Sequence, residues 1–471
     1  MGKDIAERKF DLNIEKILEN WEIHHAIREI ISNALDEQKI TGTKEIEIFK
    51  DSNNNWHIRD YGRGLKYEHL TQKENAEKLE TPNLIGKFGI GLKDALATFD
   101  RKNKEVLIRS KYGDIFIEKS EKQGFEDLLT LHACILPPSD KDLIGTEFIL
   151  KDITDEEIKK AKNLFLKFSG DKILEVTNIG EILEKQTDKA SIYINGLKVA
   201  DEDNFLFSYN ITSINAPVRK ALNRERSNVG RSAYSDRIKS ILLSCKNEQV
   251  IELIVDDLEK MINGYHHDEI NWLAVQEYAI RILNSMKKLV FLTSNEIISH
   301  SHIVDTAKSG GYKIVTIPER LKYKIQDTKD ISGNVIRDIK QFTVEYHESF
   351  EYKFVPIQNL NSFELEIFST QKRIFELIGG KPESIKEIKI SETMKKDEST
   401  FLDRLGIWEE NTGFIIINRN QLQDLKNFSG TLLHEIGHVL SNATDVNRIF
   451  ESMLTNMLGI ICKKLLMLEN K

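Results

Sequence analysis

The chain has 471 residues, 40% of them hydrophobic and 30% charged, with 67 Lys plus Arg against 75 Asp plus Glu and a formal net charge of −8. That balance predicts a globular protein of roughly two to four domains and argues against nucleic-acid binding by bulk charge. Three scattered cysteines (Cys134, Cys245, Cys462) form no disulfide framework or metal-ligand spacing, and no apolar leader or membrane-length apolar run is present, so a reducing, cytoplasmic setting with no membrane contact is expected.

In chain order, Ile23, Ala26, Ile27, Ile30, Ile31 and Ala34 recur at helical spacing and predict an amphipathic helix over 21–40. EIEIF (45–49) and WHIRD (56–60) read as strands around a polar turn, and a polar stretch (66–83) leads to GKFGIGLKDALATF, a glycine loop entering a helix. EVLIRS, DIFIEK, LTLHACIL and GTEFIL follow as strands, so residues 1–153 should form an α+β sandwich. Thr154 with Glu157 is a capping box that opens a second α/β domain (154–265), in which Asn195-Gly196 is a hairpin turn. KKLVFLTS and YKIVTI, with a break at Ser309-Gly310-Gly311, suggest a small βαβ-like unit (266–329), in which His300 and His302 alternate as on a strand face. A last region (330–471) begins as α+β and becomes mainly helical. The fold class is therefore α+β and multidomain.

Four short segments carry nucleotide chemistry. Glu29, Asn33 and Asp36 are four and three residues apart and share one helix face. A carboxylate there can take a proton from water, and an amide oxygen one turn on can hold Mg²⁺. Asp60-Tyr-Gly62-Arg-Gly64 follows a strand; its aspartate can accept from an exocyclic amine and its glycines admit a ligand close to the backbone. Gly86, Lys87, Gly89, Gly91 and Lys93 form a loop whose N–H groups and ammonium groups suit phosphate. Thr146 opens a strand with a hydroxyl able to complete recognition of adenine. Each segment alone reads equally well as an ordinary helix face, turn or strand start.

Together, over residues 20–152, they resemble the GHKL superfamily of ATPases, which includes the ninety-kilodalton heat-shock chaperone, type II topoisomerases, histidine kinases, MutL and MORC proteins. The resemblance implies a Bergerat-type sandwich followed by a transducer-like middle domain. It makes Glu29 the general base, Asn33 the Mg²⁺ ligand, Asp60 with Thr146 the readers of adenine, and the 86–93 loop the phosphate cradle, with Asp36 lining the pocket. Members that hydrolyse ATP complete the site with a basic residue from the next domain. Arg224, Arg226 and Arg231 are the candidates, Arg226 being preferred.

Near the C-terminus, His434-Glu435-Ile-Gly-His438 is an HExxH segment. Histidines at i and i+4 on one helix face suit Zn²⁺, and the adjacent glutamate can deprotonate a water. The segment resembles that of gluzincin-type peptidases, which implies a third ligand on a following helix: Glu451 is preferred, with Asp445 as the alternative and an N-cap for that helix. FIIINRNQL (414–422) is expected to be an edge strand able to hold a peptide by strand addition.

The leading expectation is an ATP-binding and hydrolysing protein, dimerising on ATP, whose nucleotide state gates a zinc-dependent peptidase acting on a peptide or protein. Bacterial anti-phage defence is the setting such a pairing suggests. The alternatives are a chaperone-like or DNA-associated GHKL switch with a structural or inactive HExxH helix, in which Arg219, Lys220, Arg224, Arg226 and Arg231 would track phosphates, and a scaffold that binds ATP without turnover.

Overall fold

The computed structural model describes residues 8–12, 20–71, 77–78, 81, 83–86, 91–122, 125–222, 229–261, 263–397 and 400–468. It is a mixed α/β structure with several sheets, dividing into two compact units, residues 1–279 and 280–471. No helix among the described residues is long and apolar enough to cross a membrane.

In the first unit, the helix Ile23–Thr41 buries Ile23, Ala26, Ile27, Ile30, Ile31 and Ala34 as their spacing requires, and it ends at Gly42 in the left-handed conformation. It shares a core with the helix Gly91–Arg101 and a seven-stranded antiparallel sheet. The strands are β1 (Arg8–Asp11), β2 (Glu47–Lys50), β3 (Trp56–Arg59), β4 (Val106–Ser110), β5 (Gly113–Lys122), β6 (Phe125–Leu136) and β7 (Thr146–Leu150), in the order β1-β6-β5-β4-β7-β3-β2. β4 alternates between buried and half-buried residues, whereas β7, flanked by β4 and β3, is buried along its whole length. β1 was not foreseen: Arg-Lys-Phe-Asp has no alternation long enough to read, and pairing with β6 makes it a strand.

The Thr154–Glu157 capping box forms with both reciprocal bonds, Thr154 N to Glu157 Oε2 at 2.8 Å and Glu157 N to Thr154 Oγ1 at 3.2 Å. A second sheet follows, from β8 (Ile173–Val176), β9 (Gly180–Leu183), β10 (Ala190–Ile194), β11 (Leu197–Glu202) and β12 (Ser208–Ile211), ordered β11-β10-β12-β9-β8. Asn195 (φ 50°) and Gly196 (φ 82°) make the β10–β11 turn, both left-handed, as an Asn-Gly hairpin requires. The helix Arg231–Leu242 packs on β9 and β12.

In the second unit, β13 (Leu289–Leu292) and β14 (Lys313–Thr316) pair in parallel across two short helices, the βαβ arrangement expected. His300 and His302 do not alternate on a strand. The Thr293 capping box starts a helix, and both histidines fall at and just after the junction with the next one. The remaining region is built on a four-stranded sheet as well as helices: β15 (Phe354–Val355), β16 (Glu387–Ser391), β17 (Gly406–Glu409) and β18 (Phe414–Asn418), ordered β15-β16-β18-β17. β18 is thus an inner strand, not the expected edge. Its apolar Phe-Ile-Ile-Ile runs between β16 and β17 with the three isoleucines buried, and β17 takes the edge. Against this sheet lie the helix Leu425–Ser441 and the last helix, Arg448–Leu468.

Candidate functional sites

The first unit carries a cavity of about 400 Å³ whose walls include Glu29, Asn33, Asp60, Gly64, Gly86, Gly91 and Thr146. Residues from four separate stretches of sequence therefore meet at one place. Asp60 Oδ1 accepts from the backbone N–H groups of Gly62 (2.9 Å) and Thr146 (3.2 Å). Burial pushes its pKa up to about 6; the charge of Glu37 adds to the rise and the two N–H bonds oppose it. Gly145, at φ 83°, passes so close to the Asp60 carbonyl that any side chain there would overlap it, so the Asp60 turn and the start of β7 are locked together.

Glu29 Oε1 accepts from Arg28 Nε (3.1 Å) and Nη2 (2.9 Å), a pair only 3% exposed on both sides, and the guanidinium lies over the Trp21 ring at 5.1 Å. Glu29 Oε2 abuts Gly91, where a Cβ would overlap it. Asp36 directs its carboxylate to the backbone, accepting from Ile85 N and Gly86 N at 2.7 Å each, and a Cβ on Gly86 would sit 2.9 Å from Asp36 Oδ2. Its part is therefore to pin the start of the glycine loop rather than to line the cavity. Lys93 lies on the helix that follows and is not among the lining residues. A side chain at Gly62 would overlap Glu37, so this glycine serves the Glu37–Arg63 contact (2.9 Å). Lys87, Gly89, Arg224 and Arg226 lie outside the described residues. Arg231 is engaged elsewhere, bonding Glu202 through Nε at 2.9 Å and Asp268 through Nη1 at 2.6 Å.

Residues outside any motif also line the cavity, notably Lys78, Lys111 and Tyr112, and so does Arg63 from within the Asp60–Gly64 segment. The stretch 66–83 has no periodicity from which Lys78 could have been singled out. Beside a separate cavity that Asp36 and Ile85 also line, Asn195 Nδ2 of the hairpin turn donates to Leu84 O at 2.9 Å, and Lys39 Nζ donates to Asn83 O at 2.9 Å.

The second unit holds the HExxH segment on the helix Leu425–Ser441, beside a groove of about 830 Å³. His434 Nε2 and His438 Nε2 are 3.2 Å apart, and Asp445 Oδ1 lies 3.1 Å from the first and 3.3 Å from the second. His438 Nδ1 is 2.7 Å from Ala443 O; donating there leaves Nε2 as the ligand atom. Phe450 stacks on the His438 ring (4.2 Å, 16°) and meets His434 edge-on (5.0 Å). The preferred third ligand, Glu451, is not in this group. It is exposed in the first turn of the last helix, its N–H bonded to Asn447 O at 3.0 Å. Left-handed Asn442 (φ 51°) and Val446 (φ 58°) fold the connecting loop so that Asp445 returns to the rings before that helix begins. Asn447 rather than Asp445 caps it, accepting from Ile449 N at 2.8 Å.

Glu435 is buried, and its pKa is pushed up to about 7 by that burial, opposed by a backbone hydrogen bond from Trp408 on edge strand β17. A Cβ on Gly406 would sit 2.7 Å from Thr431 Cγ2 and 2.9 Å from Glu435 Cγ, so this glycine lets β17 lie against the helix. Gly437 does the same on the other side, where a Cβ would meet Leu454 Cδ2 at 2.9 Å and Phe450 Cε2 at 3.0 Å. The glycine of His-Glu-Ile-Gly-His thus sets the approach of the helix that carries Phe450.

Residues 156–248 match the family model described as the Mycoplasma pneumoniae MPN635 N-terminal domain. An uncharacterized protein of Mycoplasma pneumoniae is 39% identical over 245 residues, which are 51% of this chain and 99% of that protein. A second uncharacterized protein of the same organism is 25% identical over 348 residues, 68% of this chain and 96% of its own. This chain belongs to the same family as the first of these Mycoplasma pneumoniae proteins. Among solved structures, the ATPase and transducer domains of DNA topoisomerase II from Balamuthia mandrillaris align over 37% of this chain and 60% of that one, at 12% identity. With a TM-score of 0.24, that likeness says nothing of the fold.

Proposed function

We propose that this chain is an adenine-nucleotide-binding ATPase of the GHKL kind coupled to a zinc-dependent peptidase. The observation that carries the peptidase reading is the tripod of His434 Nε2, His438 Nε2 and Asp445 Oδ1, with edges of 3.1–3.3 Å. Zinc bonds of about 2.0–2.2 Å at tetrahedral angles separate neighbouring donors by about 3.3–3.5 Å, so the donor set and its spacing fit the ion. Bound there, zinc supplies Lewis acidity toward a carbonyl oxygen. Glu435, adjacent and buried, holds the proton of the attacking water and passes it to the leaving amine. Edge strand β17, whose Trp408 N–H already reaches Glu435, offers backbone groups to an extended peptide.

The nucleotide half is supported by the convergence of Glu29, Asn33, Asp60, Gly86, Gly91 and Thr146 on one cavity. In this reading Asp60 accepts from the adenine amine, Asn33 Oδ1 offers a hard oxygen to Mg²⁺, and Glu29 takes a proton from water. ATP acts as the switch for peptide cleavage, and defence against phage is the setting proposed for it. The test is metal content, ATPase rate and peptide cleavage, with and without ATP, for wild type, Glu29→Ala and His434→Ala. Zinc lost only in His434→Ala, ATPase lost only in Glu29→Ala, and cleavage impaired in both support coupling. Cleavage indifferent to ATP and to Glu29 would leave two unrelated activities, and a metal-free wild type would end the peptidase reading.

A further inference from the structure

Lys78 stands in the polar stretch between Gly64 and Gly86, yet it lines the nucleotide cavity beside Asn33. Nζ donates to Asn33 Oδ1 at 3.0 Å and lies 3.4 Å from Asp36 Oδ2. It is also 3.7 Å from where a Cβ on Gly86 would be. The side chain is only 15% exposed, so a long, strongly hydrated cation has been drawn into the cavity wall. The chain is anchored just beside it. Glu77 accepts from Arg63 Nη1 at 2.9 Å, while the same guanidinium binds Glu37 of the first helix through Nε at 2.9 Å and Nη2 at 3.0 Å. Asn33 Oδ1, a neutral amide oxygen, is the nearer acceptor of the ammonium, and the Asp36 carboxylate, which also accepts two backbone N–H bonds, is its ion-pair partner at 3.4 Å.

Under the nucleotide reading, on which this inference rests, Asn33 Oδ1 is the oxygen for Mg²⁺. An ammonium and a divalent ion cannot both sit on one amide oxygen without a strong anion between them. We propose that Lys78 recognises the terminal phosphate of a bound nucleoside triphosphate. Without nucleotide its ammonium rests between Asn33 and Asp36. With a magnesium–triphosphate the ion takes the Asn33 oxygen, and the ammonium gives up Asn33 for an anionic γ-phosphate oxygen, a charge-assisted bond in place of the bond to a neutral amide. No covalent bond changes in the exchange. A diphosphate lacks the acceptor, so Lys78 separates the triphosphate state from the diphosphate state.

Equilibrium binding to the full chain, by calorimetry in Mg²⁺, tests this with a non-hydrolysable ATP analogue and with ADP. Lys78→Met is expected to weaken the triphosphate about tenfold or more while changing ADP by less than about twofold, the loss of one charge-assisted bond. Lys78→Arg should recover most of the triphosphate affinity. Lys78→Gln, uncharged but still able to donate to Asn33, gives the same comparison should Lys78→Met fail to fold. Unchanged triphosphate affinity, or equal weakening of both nucleotides, overturns the assignment of Lys78 alone. A wild type that takes up neither nucleotide removes the nucleotide reading together with it.

Discussion

Replacing Asp445 and Glu451 one at a time decides the metal site. In the folded chain Asp445 Oδ1 is 3.1 Å and 3.3 Å from the two imidazole nitrogens, and those nitrogens are 3.2 Å apart. The three edges fall short of an ideal tetrahedral zinc face by about 0.2 Å, a difference that a small rotation of the 65% exposed Asp445 side chain absorbs. Loss of a group that only orients a ligand costs about 10–100-fold in metal affinity, so loss of a direct ligand should exceed about a hundredfold. Asp445→Ala is therefore expected to bind zinc more than about a hundredfold more weakly than wild type. Glu451→Ala, altering an exposed first-turn residue outside the tripod, should stay within about threefold, the small effect of a surface change. Competition for Zn²⁺ against a chromogenic chelator measures both, and a melting curve of each metal-free variant shows that the fold is kept. If Glu451→Ala loses zinc as Asp445→Ala does, the geometry assigned here is wrong and the loop must rearrange to bring the glutamate in.

Gly437→Ala should destabilise the second unit by about 1–3 kcal/mol, since its Cβ would press on Leu454 and Phe450 in a packed helix interface; thermal melting checks this, and an unchanged melting temperature contradicts the packing described. Nucleotide affinity should fall with acid. Asp60 titrates at about 6, adenine's amine needs its ionised form, and below that pH bound nucleotide must expel a proton, at a cost of up to about tenfold per pH unit. The same raised pKa gives the opposite sign for stability without nucleotide. Asp60's contribution is fully present below its unfolded value and is lost as pH rises through about 6, and denaturation across about pH 4–7 with Asp60→Asn as control reads it. Asn195→Gly keeps the left-handed turn but removes the donor to Leu84 O, and should weaken nucleotide binding about fivefold, one hydrogen bond's worth, with little change in melting temperature.

What could be read from the sequence was whatever a local period fixes. Glu29 and Asn33 fall on one face because a helix returns every 3.6 residues, and His434 and His438 converge for the same reason. The capping box at Thr154 and the turn at Asn195-Gly196 carry their geometry in two to four residues, and both formed as read. β18 was identifiable as a strand from its apolar run, but an apolar run does not distinguish an inner strand from an edge; only pairing on both sides, with β16 and β17, settles that. The strand β1 was silent because its four residues gain their conformation from β6 and not from their own pattern.

The residues that escaped are those whose position depends on where a loop returns. Asp445 and Glu451 are equally good zinc ligands as chemistry, and Glu451 had the helix-borne precedent. Asp445 is the carboxylate that lies beside the two imidazoles because Asn442 and Val446 adopt left-handed backbone, reversing the chain within a few residues of His438. For a β-branched valine that conformation is strained, by about 1–3 kcal/mol, and nothing in the sequence advertises it. Lys78 is a parallel case: its neighbours in sequence are polar and aperiodic, and it is brought to Asn33 by the Glu77–Arg63–Glu37 chain of ion pairs. In both sites, therefore, a helix supplies two groups at a spacing the sequence displays, and a loop supplies a third whose arrival is set by tertiary contacts. Substitutions in those loops, at Val446 or at Arg63, should accordingly alter ligand affinity while leaving the helices that carry the motifs intact.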